Sequence, residues 1–482
     1  MNNRPIMKSK QRIEFGDFQT PSDLAAEVCS LLKSMRISPK SIIEPTCGVG
    51  RFLEAALNTF PNFEYASGME INGLHLREAR QRIGSRDSRV RFHRADFFQT
   101  NWDKVLNSLP EPILVVGNPP WVCNSELGAI RGTNLPEKSN TIGSRGIEAL
   151  TGRSNFDVSE WMMSRLFSGL RGRKATFAML CKTSVARKVL AQAWGDELPL
   201  ERATMHRIDS QATFGVAVDA CLLTAEFGPT SEPQVCHVFE RLESKMSHSS
   251  FGWRDKRLVA DVTTYDKLKS GLTGSRIPWR SGIKHDCAKI MELRPDGTAF
   301  RNGLGERVEL ETDYLYPMLK SSEIASSGDA TPKRWMLVPQ RSVGEDTSAI
   351  QQLAPKTWRY LQSNRTRLDG RRSSIYRGRP PFSIFGVGPY TFFPWKVAIS
   401  GLYKELCFTL LGPHEGKPIV LDDTCYALSF ESQVDAVEHL RLLESNVSKL
   451  AINSLVFWDT KRPITASVLN LVDAKRLAGT ES

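Results

Sequence analysis

The most pointed chemistry in the chain lies at Asn118-Pro119-Pro120-Trp121, which follows the apolar run Ile113 to Val116 and Gly117. The two prolines fix the backbone and carry no N–H of their own. The stretch therefore offers an amide side chain, rigid carbonyls and a large indole, in that order. Three carboxylates close similar apolar runs: Glu44 after "SII", Glu70 after "FEYASGM" and Asp96 in "VRFHRAD". Glu44 opens the turn "EPTCGVGRF", with Pro45, Cys47, Gly48 and Gly50, and Glu70 follows Gly50 by twenty residues. A carboxylate at that spacing reaches the ribose hydroxyls of a bound nucleoside. Asp96 can accept from the exocyclic amine of an adenine, with Phe97 or Phe98 against its face. The turn is G-x-G without a third glycine and without G-K-[ST], so a nucleoside cofactor lacking pyrophosphate is favoured. Taken alone, the turn also admits the lesser reading of a tight connection with a buried capping Glu.

These residues need a scaffold that brings strand ends together, and the pattern supplies one. Strand-like runs at "SIIEP", "FEYASGME", "VRFHRAD" and "ILVVG" alternate with helical spacing, as in "RFLEAALNTF" and "FDVSEWMMSRLFSGL". "KATFAMLC", "HRIDS" and "DACLLTAEF" read as further strands. The expectation is an α/β fold, a Rossmann-like, doubly wound, mostly parallel sheet that binds its ligand at the carboxyl ends of the strands. Beyond "GPTSEPQ" the rhythm fails, which places a boundary at 228, with a mixed α+β domain over 229–482. The stretch from Val122 to Asn155 is too long for an ordinary connection and reads as a loop closing over a ligand.

In this order the motifs resemble the gamma class of S-adenosylmethionine-dependent amino-methyltransferases, the N6-adenine DNA methyltransferases of restriction–modification systems. "FGDFQTP", with Phe15, Gln19, Thr20 and Pro21, looks like the family's upstream cofactor motif, and "EPTCGVGRF" like its first. Glu70 and Asp96 match the second and third, and "NPPW" matches the catalytic tetrapeptide. The likeness covers residues 15 to about 228. It implies S-adenosylmethionine bound by Phe15, Gln19, Thr20, Pro21, Glu44, Pro45, Cys47, Gly48, Gly50, Glu70, Asp96, Phe97 and Asn118. It further implies that Asn118 and Pro119 accept the amine hydrogens of a flipped adenine, with Pro120 stiffening the turn and Trp121 stacking on the base.

Charge bears on the partner. The chain carries a formal +11, and the window Lys356 to Arg379 holds eight basic residues against Asp369 alone. Seven of the eight are Arg, interleaved with Trp358, Tyr360 and Tyr376, a mixture suited to phosphate forks and stacking. Arg365, Arg367, Arg371, Arg372, Arg377 and Arg379 are the expected contacts to double-stranded DNA. The nine cysteines include no C-x-x-C pair, and His285-Asp286-Cys287 lacks further ligands, so no metal site is expected. No apolar run of about 18 residues and no signal segment stand out, which points to the cytoplasm rather than a membrane. No nuclease motif accompanies "LDDTCY", so any cleavage partner is expected to be a separate endonuclease. Rival readings keep the tetrapeptide and change the acceptor to cytosine N4, an RNA adenine or a protein glutamine. A catalytically silent DNA-binding scaffold is a further rival, disfavoured by the intact Asn118 and Glu70.

Overall fold

The computed structural model describes residues 19–84, 87–122, 157–229, 233–325 and 330–479. Phe15 and, of the expected closing loop Val122 to Asn155, all but Val122 lie outside the described residues. The chain divides into two compact units, Met1–Val262 and Thr263–Ser482.

Among the described residues the first element of this unit is α1 (Ser22–Ser34), which buries Leu24, Ala25, Val28, Cys29 and Leu32. This spacing gathers the apolar side chains on one face of a 3.6-residue period. There follow β1 (Ser41–Glu44), α2 (Arg51–Thr59), β2 (Tyr65–Glu70), α3 (Gly73–Ile83), β3 (Val90–Arg94), α4 (Trp102–Asn107) and β4 (Ile113–Gly117). After α5 (Val158–Gly169) come β5 (Ala175–Lys182), α6 (Thr183–Gly195), β6 (Leu200–Ile208), α7 (Ser210–Phe214) and β7 (Ala220–Phe227). β1 and β4 are buried along their whole length, as expected of central strands covered by helices on both faces. Ile42, Phe52, Leu53, Leu114, Val116, Ala178 and Leu222 tie these strands to α2 in one core.

Among the described residues ten strands form one sheet, in the order β10 (Arg257–Val259), β9 (Ser249–Arg254), β8 (Val235–Phe239), β6, β7, β5, β4, β1, β2, β3. β1 to β5 run parallel, and β7 lies antiparallel between β5 and β6. The order reverses beside β1, where β4 lies on one side and β2 on the other. Such a switch point opens a crevice at the carboxyl ends of the strands. Glu44, Glu70 and Gly117 close their strands at that edge, and Asp96 follows β3 directly.

The division falls later than the sequence reading of 228. β8 (Val235–Phe239) adds parallel to β6, and β9 (Ser249–Arg254) and β10 (Arg257–Val259) continue the sheet antiparallel. "GPTSEPQ" is thus a connection within the first unit. β8 was hard to recognise because only Cys236 and Val238 are buried, in a strand of five residues. β6 (Leu200–Ile208) starts six residues before the expected strand "HRIDS", because Glu201 and Arg202 near its start are exposed and interrupt the apolar pattern.

The second unit is mixed α+β. Its six-stranded sheet runs β14 (Arg307–Val308), β13 (Ala299–Asn302), β12 (Glu292–Asp296), β16 (Arg334–Leu337), β15 (Leu315–Leu319) and β19 (Val420–Leu421). A four-stranded sheet runs β11 (Arg280–Ser281), β20 (Cys425–Phe430), β17 (Trp395–Ser400) and β18 (Phe408–Leu411). The helices Pro355–Ser363 and Arg365–Asp369 bury Leu361 and Leu368 in the core that contains Leu293, Met318 and Met336.

Candidate active site

At the end of β1 the chain must turn sharply into α2, and two glycines make this possible. Gly48 and Gly50 have φ of 51° and 81°, in the left-handed region that costs other residues roughly 1–2 kcal/mol. A Cβ on Gly48 would come within 2.7 Å of Gln19 Oε1, so any larger residue here would also displace the Gln19 amide. The Gln19 carbonyl oxygen in turn accepts from the Val49 N–H at 3.3 Å.

Glu44 lies beneath this turn with its carboxylate accepting from the Leu53 N–H at 2.9 Å, in the first turn of α2. Burial pushes its carboxyl well above the usual range, against the pull of that amide, and nearby Glu70 pushes further. Both readings of Glu44 thus meet in one residue, which caps the helix and borders the cleft. Glu70 accepts from the Gly48 N–H at 2.9 Å and from the Asn72 N–H at 2.7 Å. It therefore binds the glycine turn to the end of β2. Asp96 accepts from the Phe98 N–H at 2.9 Å. Phe97 packs on Trp102 with ring centroids 4.6 Å apart and is buried, while Phe98 is half-buried.

These elements enclose an open cleft of about 1000 Å³. Of the residues expected at the site, Gln19, Thr20, Glu44, Pro45, Cys47, Gly48, Glu70, Asp96, Phe97, Asn118 and Pro120 line it. Pro21, Gly50, Pro119 and Trp121 are not on its wall. Asn118 Nδ2 donates to the Thr20 hydroxyl at 3.3 Å. Trp121 lies edge-on to Phe214, 5.3 Å between centroids, and its indole N–H donates to the Leu180 carbonyl at 3.4 Å.

The sequence reading missed Thr46, Arg51, Asn72, His75, Val158 and Met162, which also line the cleft. Thr46, Arg51 and Asn72 sit beside recognised motif residues and could have been found by adjacency. Val158 and Met162 come from α5, whose return to the site no local pattern announces.

The Thr46 hydroxyl and the Arg51 Nε are buried without a hydrogen-bond partner among the described residues. Orphaned buried donors of this kind call for a ligand or a water. Glu70 and Asp96 are acceptors suited to ribose hydroxyls and an adenine amine, and Arg51 is a cation suited to a carboxylate. The set fits an adenosine joined to an amino acid.

In the second unit the basic window is only partly a free surface. Arg372, Arg377 and Arg379 are exposed, as are Arg365 and Arg367, although Arg365 pairs with Asp369 at 3.2 Å. Arg371 differs, because its guanidinium donates to the carbonyls of Leu368, His285 and Ser383 at 2.6, 3.2 and 2.7 Å. It also lies 3.6 Å from the ring centre of Tyr376. Expected at a DNA surface, Arg371 is instead engaged in holding the loop together. His285 accepts from the Cys287 N–H and faces Glu292 at 3.4 Å. Among the described residues no group of three His, Cys, Asp or Glu could hold a metal ion, and no helix is long and apolar enough to cross a membrane.

No family model matches the chain. The Type II methyltransferase M.NspV of Nostoc sp. is 44% identical over 471 residues, covering 97% of this chain and 98% of its own length. The Type IIL restriction–modification enzyme MmeI, solved in complex with DNA, shares the fold with a TM-score of 0.51 at 14% identity, over 98% of this chain and 67% of its own. A putative class I S-adenosylmethionine-dependent methyltransferase from Listeria monocytogenes aligns over 47% of this chain and 67% of its own, with a TM-score of 0.32 at 15% identity. S-adenosylmethionine, the cofactor that the motifs imply, is an adenosine–amino acid conjugate of the kind the cleft fits. With near full-length identity to M.NspV, this chain belongs to the Type II methyltransferase family.

Proposed function

We propose that the chain is the modification methyltransferase of a restriction–modification system, acting in the cytoplasm on double-stranded DNA and methylating adenine at N6. The observation that carries this reading is the shared wall of one cleft. The amide of Asn118, at the end of β4, borders the same space as Glu44, Glu70 and Asp96. An acceptor amine held at Asn118 would thus lie beside the cofactor.

Bound S-adenosylmethionine supplies a methyl group on a sulfonium, an electrophile that needs only a competent nitrogen. An adenine amine is a poor nucleophile because its lone pair is delocalised into the ring. Asn118 donates through Nδ2 to Thr20, which turns its carbonyl oxygen to the role of acceptor. That oxygen and the Pro119 carbonyl take the two amine hydrogens, draw the nitrogen toward tetrahedral geometry and stabilise its growing positive charge. The methylated ammonium is itself strongly acidic, so no dedicated base is required.

A duplex hides this amine, so the base must rotate out of the stack. Trp121, buttressed by Phe214, is the aromatic surface nearest in sequence to the acceptor pair and would take the base. Arg365, Arg367, Arg372, Arg377 and Arg379 supply exposed positive charge for the phosphates. A cognate endonuclease would be a separate chain.

The test is transfer of labelled methyl groups to plasmid DNA, followed by sequencing that distinguishes N6-methyladenine from N4-methylcytosine. N6-methyladenine at one recurring site is the expected result. Label on cytosine, on RNA or on protein would replace the acceptor, and no transfer with intact cofactor binding would leave a binding protein.

A further inference from the structure

Asn118 and Pro119 are useful only if the turn that carries them stays still. Pro119 and Pro120 have no N–H, so the middle of this turn offers no amide to hold it to its neighbours. The structure staples it from outside at three points just beyond Pro120. The Trp121 indole N–H donates to the Leu180 carbonyl at 3.4 Å. The Val158 N–H donates to the Val122 carbonyl at 2.9 Å. The Lys182 ammonium donates to the Trp121 carbonyl at 3.5 Å.

The third point has a built support. Lys182 Nζ lies 2.7 Å from Asp157 Oδ2, and the side chains are 20% and 7% exposed. The other oxygen of Asp157 caps α5, accepting from the Ser159 N–H at 3.0 Å and the Ser159 hydroxyl at 2.6 Å. A single carboxylate therefore joins the first turn of α5 to the last residue of β5, and through the ammonium to the exit of the Asn-Pro-Pro-Trp turn. A solvated ion pair would define little geometry, because two mobile side chains must be immobilised for a small gain. This pair is largely out of water, and each end stands at the end of a packed element. The pairing also neutralises Lys182, so that a cation near the turn does not oppose the charge that grows on the amine.

We infer that Lys182 and Asp157 are positioning residues for methyl transfer, a clamp that fixes the carbonyl of Trp121 and with it the acceptor pair at Asn118 and Pro119. The inference rests on the acceptor role proposed for those two residues. Because a displacement of about 1 Å in reacting geometry can cost on the order of 100-fold, loosening the clamp should act on turnover rather than on binding.

The experiment compares Lys182→Met, Lys182→Arg, Asp157→Asn and Lys182→Met/Asp157→Asn with the wild-type chain. The readouts are kcat and KM for DNA methylation, calorimetric affinity for S-adenosylmethionine, and melting temperature. Lys182→Met should lower kcat by about 10-fold or more and leave KM and cofactor affinity within about 3-fold. Lys182→Arg should restore most of the rate. Asn also serves as a helix cap, so Asp157→Asn keeps the start of α5 while removing the charge, and it should lower kcat likewise. Members of one device are not additive, so the double variant should be no slower than the slower single variant.

Wild-type kcat in Lys182→Met, or a loss of kcat matched by a loss of cofactor affinity, would overturn the clamp. If Lys182→Met does not fold, Asp157→Asn decides in the same way. The rate ratio is taken on whichever acceptor the wild-type enzyme methylates. A wild-type preference for cytosine would therefore remove the adenine reading while leaving the clamp to stand or fall by that ratio.

Discussion

Asn118 Nδ2 donates to the hydroxyl of Thr20, 98 residues earlier in the chain, at 3.3 Å. The hydroxyl is buried in the residue pair before α1, and the amide directly follows the central strand β4. One hydrogen bond thus joins the segment expected to hold the amino-acid end of the cofactor to the residue expected to hold the acceptor. It also orients the amide, since the nitrogen is committed to Thr20 and the oxygen remains the acceptor face.

Asn118→Ala should therefore cost methyl transfer far more than cofactor binding, since Asn118 is one of many residues on the cleft wall. Loss of one preorganised hydrogen bond to a developing charge costs roughly 3 to 4 kcal/mol in the transition state, a rate loss of about 100-fold or more. Single-turnover kinetics and calorimetry on the same preparation measure the two quantities. A variant retaining more than about a tenth of the wild-type rate would show that the amide does not stabilise that charge.

Glu70→Ala and Asp96→Ala should weaken S-adenosylmethionine binding without altering site preference. Glu70 has the larger expected effect, because its carboxylate also holds the Gly48 and Asn72 amides and so shapes the turn. Its loss leaves two N–H groups without their carboxylate acceptor, at roughly 1–3 kcal/mol each where water cannot replace it. Calorimetric affinities equal to wild type in both variants would move the cofactor away from these carboxylates.

The motif residues at strand ends were legible in the sequence because each couples a local signal, an apolar run followed by a polar or Gly-rich turn, to a chemical need. Glu44, Glu70, Asp96 and Asn118 converge because a parallel sheet delivers every carboxyl end to the same edge. What was not legible depends on packing. Trp121 reads as an exposed platform, but its N–H finds the Leu180 carbonyl and its ring finds Phe214. Arg371 has the composition of a DNA contact, yet three carbonyls that no sequence pattern reveals take up its donors. The strands β8 to β10 are short and half-buried, so they carry too few apolar residues to stand out in the sequence from a loop.

A buried lysine in the second unit gives a pH prediction. Lys396 in β17 is 4% exposed, and its ammonium donates to the Phe393 carbonyl at 2.6 Å with no carboxylate in reach among the described residues. Burial lowers its pKa from 10.5 to about 7. The folded value lies below the unfolded one, so the unfolded chain binds more protons between these two pH values and stability rises with pH across that window. Below about pH 7 the full penalty is present. Lys396→Met should therefore stabilise the protein by a few kcal/mol at pH 6, and the gain should shrink steadily as pH rises toward 10. Denaturant melts at pH 6, 7.5 and 9 measure it, and a gain independent of pH would mean that burial does not lower the pKa of Lys396 in the folded protein.

The last prediction separates the arginines of the basic window by what they hold. Arg372, Arg377 and Arg379 are exposed, so replacing all three with Ala should leave the melting temperature and cofactor affinity unchanged. Each phosphate contact releases about 0.9 of a condensed counterion, so three lost contacts should reduce the slope of log affinity against log salt by between 2 and 3 units, roughly. An arginine that forks onto a guanine would behave differently, and its loss would relax discrimination at one position by about 1–3 kcal/mol. Arg371→Ala should do the reverse of the triple variant. It removes hydrogen bonds to the carbonyls of Leu368, His285 and Ser383 and the stacking on Tyr376, so the loop it organises should loosen and the melting temperature fall. Binding to cognate and scrambled duplexes at several salt concentrations, with melting curves for both variants, distinguishes these outcomes. An unchanged salt slope in the triple variant would mean that these exposed guanidinium groups meet only solvent, and that the DNA is gripped by another face of the protein.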